Sequence, residues 1–210
     1  MVIGRTGTGK TELLRALAKA MFDNPSRAVI FPLGGIIYEG ELNNIFGAPV
    51  GHDGAKKISP FEQALIDNPD GGVMGMDEFS NMGGTERAQK EALIKKFYDI
   101  VDNGTWKSAA TGKTYDLSKW IMVWTGNDSE RLFQGASADD MLLSVWKQNK
   151  GKQGLRRLLL ESGVPEAFLG RMGDIILMKP LLASEIKAIV LKMMRPLIKE
   201  FEKYGITMEA

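Results

Sequence analysis

Gly4-Arg5-Thr6-Gly7-Thr8-Gly9-Lys10-Thr11 fits G-x-x-x-x-G-K-[ST] at every fixed position. It follows the apolar stub Val2-Ile3 and runs into a stretch whose Leu13, Leu14, Leu17 and Met21 fall on one side of a helix expected over 11–22. Each residue type answers a physical need. Glycines let consecutive backbone N–H groups turn toward one anion, and the helix that follows adds its positive end. Lys10 is placed to reach β- and γ-phosphates, and the Thr11 hydroxyl to ligate Mg²⁺. The loop as a whole, Gly4, Thr6, Gly7, Thr8, Gly9, Lys10 and Thr11, therefore reads as a phosphate cradle for ATP.

Outward from this loop, short apolar runs alternate with helical patterns. Strands are expected over 28–33, 72–76, 120–124 and 174–178, with helices over 39–46, 61–66 and 86–101 and a turn-rich stretch over 102–114. Such alternation predicts an α/β fold, a three-layer P-loop domain with a largely parallel sheet, over 1–179. From 180 to 210 the texture is helical alone. Ser184 is a plausible N-cap, Ile186, Ile189, Val190, Met193, Leu197 and Phe201 keep helical spacing, and Pro196 should kink or split the helix. This segment reads as the start of a small helical lid.

The strand Gly72-Val73-Met74-Gly75-Met76 ends in Asp77-Glu78. Two acids at the carboxyl edge of a parallel sheet place Asp77 beside Thr11 at the metal, and let Glu78 orient and deprotonate the attacking water. By itself the pair is a weak signal, since many loops open with acids; its weight comes from the loop at 4–11. Trp120 to Trp124 runs into Thr125-Gly126-Asn127, where the Asn127 amide can hold the lytic water, although Asn is also a common turn former.

Composition narrows the field. With 27 basic and 26 acidic residues in 210, no global charge points to nucleic acid or a membrane surface. There is no Cys and a single His, His52, which excludes disulfides, thiol nucleophiles and multi-His metal sites. Apolar runs such as Ile121 to Trp124 are too short to span a bilayer, and no leader pattern precedes them, so a cytoplasmic chain is expected. The basic group Lys147, Lys150, Lys152, Arg156 and Arg157 is the one local argument for nucleic acid, and a solvated helix face is the plainer reading.

Four segments in order resemble the Clp-type AAA+ ATPases of the unfoldase and disaggregase branch. They are GRTGTGKTELLRAL (4–17), Gly47-Ala48-Pro49-Val50-Gly51-His52-Asp53-Gly54, the stretch 93–115, and Pro165-Glu166-Ala167-Phe168-Leu169-Gly170-Arg171-Met172-Gly173-Asp174-Ile175-Ile176. The resemblance implies an AAA+ ATPase in which Asp77 and Glu78 are the Walker B pair and Asn127 is sensor 1. It implies that Arg171 is an arginine finger acting on a neighbour's ATP, hence a homo-oligomeric ring, a hexamer in the family. The loop around His52 is similar to the family's pore loop, which grips polypeptide.

Three departures accompany the resemblance. His52 and Asp53 stand where the pore loop carries an aromatic and an apolar residue, and an imidazole beside a carboxylate grips apolar chain poorly. Almost nothing precedes Gly4, and the chain stops at Ala210 before the family's sensor 2 arginine, so both ends read as truncated. A protein-remodelling motor is thus the leading expectation. A nucleic-acid motor or loader and a nucleotide-gated scaffold are the alternatives.

Overall fold

The computed structural model of the chain describes residues 1–52, 54–84, 86–127 and 151–205, and the backbone alone of Lys152. Five strands form one sheet: β1 (Val2–Ile3), β2 (Ala28–Pro32), β3 (Gly72–Asp77), β6 (Trp120–Gly126) and β7 (Ile176–Leu177). Their spatial order is β2-β3-β6-β1-β7, and every pairing is parallel. After β1 the chain winds to the far edge and returns through β3 and β6; after β6 it crosses to the other side of β1. The connections leaving β1 and β6 therefore diverge, which opens a crevice at their carboxyl ends.

The period-two alternation of the strands divides the core between the two faces. On one face Ala28, Ile30, Val73, Ile121 and Val123 pack against Leu14, Ala18 and Leu17 of α1 (Lys10–Phe22). On the other, Phe31, Met74, Met76, Trp120 and Trp124 join the larger cluster with α3 (Pro60–Asp67) and α4 (Arg87–Asn103). Helix, sheet and helix thus make the three layers expected. Gly75 lies on the α1 face, and a Cβ there would meet Leu14 Cδ1 at 2.5 Å. The missing side chain lets α1 press onto the sheet and buries Leu14 almost completely, which is worth about 2 kcal/mol.

The remaining elements differ in places from the sequence expectation. The region 39–46 is a 3₁₀ turn, Glu39–Leu42, running into the one-turn helix α2 (Asn43–Phe46). The turn-rich stretch contains an antiparallel hairpin, β4 (Thr105–Lys107) with β5 (Thr114–Asp116), whose strands are too short to show periodicity. Among the described residues two helices, α5 (Lys152–Glu161) and α6 (Glu166–Leu169), precede β7, which is shorter than the strand expected over 174–178.

In the last helix, α7 (Ala183–Glu202), the N-cap is Leu182, not Ser184; the Glu185 carboxylate turns back to accept the Leu182 N–H at 2.8 Å. Pro196 does not split α7, which is one continuous helix. The helix has no buried residue, so water can solvate the carbonyl that Pro196 frees. No helix among the described residues is long and apolar enough to cross a membrane.

Candidate nucleotide site

Register brings the sequence-predicted residues to one edge. Ile3 pairs with Gly126, Met76 with Trp124 and Pro32 with Asp77, so the 4–11 loop, Asp77-Glu78 and Asn127 all leave the sheet at the same height. Gly7 and Gly9 have φ of 80° and 87°, in the left-handed region that glycine enters without strain. Gly9 caps α1 without any side-chain hydrogen bond, which leaves the first N–H groups of the helix open to an anion.

A cavity of about 290 Å³ is lined by Thr6, Gly7, Gly9, Lys10, Thr11, Glu12, Asp77, Glu78 and Asn127. Within it the polar groups form one continuous line. Lys10 Nζ donates to Gly4 O (2.8 Å), Arg5 O (3.1 Å) and Asn127 Oδ1 (2.7 Å). Asn127 Nδ2 donates in turn to Glu78 Oε1 at 3.1 Å. The Glu78 N–H donates to Thr125 Oγ1 at 3.1 Å, and the Thr125 hydroxyl donates to Asp77 Oδ1. Glu78 holds φ 55° and ψ 32°, a sparsely populated conformation for a residue with a side chain, which costs about 1–3 kcal/mol and is kept only where surroundings enforce it.

Two residues of this arrangement escape a reading of the sequence. Thr125 is fully buried and holds the Asp77 carboxylate and the Glu78 backbone N–H; in sequence it is one more β-branched strand residue. Gly34 sits against Glu78, and a Cβ on it would lie 2.2 Å from Glu78 Oε2. The only hint is the Gly34-Gly35 pair just past β2.

A second cavity, about 500 Å³, shares Thr6 and Gly7 with the first and extends between Arg5, Thr8 and the apolar residues Pro180, Leu181, Ile186, Ile189 and Val190. It offers a largely apolar slot directly beside the glycine loop.

Residues 1–139 match the family described as "ATPase family associated with various cellular activities (AAA)". The chain belongs to that family. The AAA domain is also similar to "Chaperone protein ClpB" of Bacillus cereus, 28% identical over 99% of this chain and 22% of the relative. The same-named proteins of Bacillus anthracis (28% identical, 93% of this chain, 21% of the relative) and Lactococcus lactis subsp. cremoris (26%, 100% and 22%) match likewise. The chain spans about a fifth of the length of these curated relatives.

Other sequence-predicted residues of the AAA domain lie elsewhere. Arg171 does not line the first cavity. It follows α6 and lies over α4, where its Nε donates to Asp102, its Nη1 donates to Ala167 O at 2.7 Å and its guanidinium stacks 4.8 Å from the centre of Tyr98. The Asp102 hydrogen bond and charge, with Tyr98, raise the guanidinium pKa further against partial burial.

Residues 49–52 form an exposed turn: His52 N donates to Pro49 O and Ala55 N to His52 O, and Val50 is 82% exposed. Asp53 lies outside the described residues, as do Lys147, Lys150 and the Lys152 side chain. Arg156 and Arg157 pair with Glu166 (3.7 Å) and Glu161 (2.8 Å).

Proposed function

We propose that this AAA domain binds ATP with magnesium and hydrolyses it, as one subunit of a ring-forming protein-remodelling motor. One observation carries the reading: Lys10, Asn127 and Glu78 form an unbroken hydrogen-bonded line across a glycine cradle at the open start of α1. Lys10 would exchange its Asn127 contact for phosphate oxygens, which frees the amide to position water. Glu78 then takes the proton of that water as its oxygen attacks phosphorus and the bond to the leaving diphosphate breaks.

Thr11 and Asp77 both face the cavity, and the Thr125 hydroxyl fixes the Asp77 carboxylate. This sparse oxygen set suits magnesium, which keeps waters and phosphate oxygens for the rest of its shell. When bound, the metal supplies positive charge to the phosphates. The apolar slot between Arg5–Thr8 and Ile186–Val190 fits the base.

Arg171 lies outside its own subunit's cavity, which favours a role on a neighbour's nucleotide. There it would trade Asp102 for developing phosphate charge. In the exposed turn at 49–52, Val50 rather than His52 offers the apolar contact for a polypeptide. The pairing of Arg156 and Arg157 with acids favours this reading over a nucleic-acid motor.

The test is subunit mixing. Glu78→Gln should keep Mg·ATP affinity and lose turnover, and Arg171→Ala should lose turnover with affinity unchanged. Mixing the two should restore activity, because an intact Glu78 can then sit beside a neighbour's intact Arg171. Turnover that is independent of concentration, with no rescue in the mixture, would remove Arg171 and the ring from the account.

A further inference from the structure

Lys90 is a buried cation that the chemistry above does not use. It lies on α4 with 4% of its surface exposed, and its Nζ donates to Ser80 O and, at 2.7 Å, to Ser162 O. Burial of an ammonium is costly unless its donors are satisfied, so the Ser80 and Ser162 carbonyls are held firmly together. Those partners belong to the two segments that matter. Ser80 lies in the 3₁₀ turn Phe79–Asn81, which begins directly after Glu78. Ser162 caps α5 and leads through Val164 and Pro165 to Arg171. The packing at this point leaves no slack, since a Cβ on Gly83 would meet Lys90 Cα at 2.7 Å and its N at 2.8 Å.

A ring path runs parallel to the ammonium. Phe79, next to Glu78, stacks on Phe168 with centroids 5.4 Å apart. Phe168 meets the Tyr98 ring edge-on at 5.3 Å, and Tyr98 carries the Arg171 guanidinium at 4.8 Å. Arg171 N also donates to Phe168 O at 3.0 Å. At the other end, Glu78 is tied through Asn127 to Lys10, the group for which a phosphate competes.

We propose that Lys90 is a positioning residue that makes the Glu78 turn and the Arg171 segment one body, so that nucleotide entering a subunit's own cavity shifts the arginine it offers to its neighbour. This rests on the roles given above to Glu78 and Arg171. The two-state element is the Lys10–Asn127–Glu78 line, closed without phosphate and opened by it.

Amide hydrogen exchange on the full chain tests the coupling, with and without ATPγS and Mg²⁺, at a concentration where light scattering shows a monomer. The wild-type chain should slow in exchange at 4–11 on nucleotide binding, and exchange at 164–171 should change by about five-fold or more. Lys90→Met should keep the change at 4–11 and lose that at 164–171, and Lys90→Arg, which keeps a cation between the two carbonyls, should restore it. Phe168→Leu breaks the ring path without stranding a buried carbonyl; it should shrink the same response and serves if Lys90→Met melts the chain. A full response at 164–171 in the folded variants, or none in the wild type while 4–11 responds, overturns the coupling and leaves the nucleotide site standing. No response at 4–11 in the wild type overturns both.

Discussion

Replacing Gly34 by Ala should cripple turnover without touching nucleotide affinity. The added Cβ would lie 2.2 Å from Glu78 Oε2, 2.8 Å from Glu78 Cβ and 3.2 Å from its carboxyl carbon, where carbon contacts settle at about 3.5–4.0 Å. Rotating the Glu78 side chain relieves the first clash but not the second, because Cβ is fixed by a backbone already in the left-handed region. The residue as a whole must shift by about 1 Å, which breaks the 3.1 Å bond from Asn127. A misplacement of that size at a reacting group costs about 10²-fold in rate, or about 2.7 kcal/mol of barrier. The overpacking itself should lower stability by about 1–3 kcal/mol. Steady-state turnover gives the rate, calorimetry with a non-hydrolysed ATP analogue gives the affinity, and a denaturant melt gives the stability. Gly34→Ala with wild-type kcat would show that the loop after β2 yields instead of Glu78, and the claim that Gly34 positions the base would fall.

Thr125→Val keeps shape but removes the acceptor of the Glu78 N–H and the donor to Asp77. Stability should drop by about 1–3 kcal/mol, and the magnesium needed for half-maximal turnover should rise by about ten-fold, read from a metal titration. Glu62 is fully buried at the start of α3, and burial pushes its carboxyl pKa up. Hydrogen bonds from Ser108, Thr111 and Tyr115 at 2.6–2.9 Å, with the nearby Lys113 charge, outweigh this and hold it below its ordinary value. A depressed folded pKa stabilises above the unfolded carboxylate value of about 4.3 and loses that contribution as pH falls through the folded value. Glu62→Gln should therefore cost about 2 kcal/mol at neutral pH, and thermal melts of the two proteins should draw together as pH falls through the depressed folded value.

The candidate site was legible because its residues are local. Eight consecutive residues, Gly4 to Thr11, carry both the backbone turn and the charged groups. Asp77 and Asn127 follow apolar runs, so their places at strand ends could be read, and parallel registry then brought those ends together. What was not legible depends on partners distant in sequence. Thr125 matters because β6 pairs with β3 in one register, and Gly34 because the loop after β2 crosses Glu78. The shelf under Arg171 is Tyr98 and Asp102, spaced i,i+4 on α4 with nothing in that spacing to name a partner 69 residues on. The hairpin β4–β5 was missed since three-residue strands give no periodicity, and it is held to α3 by Glu62, a link only the folded chain makes.

Lys10 is the centre of the proposed nucleotide site, its ammonium buried against Gly4 O, Arg5 O and Asn127 with the glycine loop around it. Isothermal calorimetry of Mg·ATP binding to the wild-type chain and to Lys10→Ala measures the claim at its centre. Loss of the Lys10 cation should weaken binding by at least about 10²-fold, to or beyond the limit of detection, while circular dichroism shows the fold retained. Near-normal ATP affinity in Lys10→Ala would contradict the assignment of the 4–11 loop as the nucleotide site.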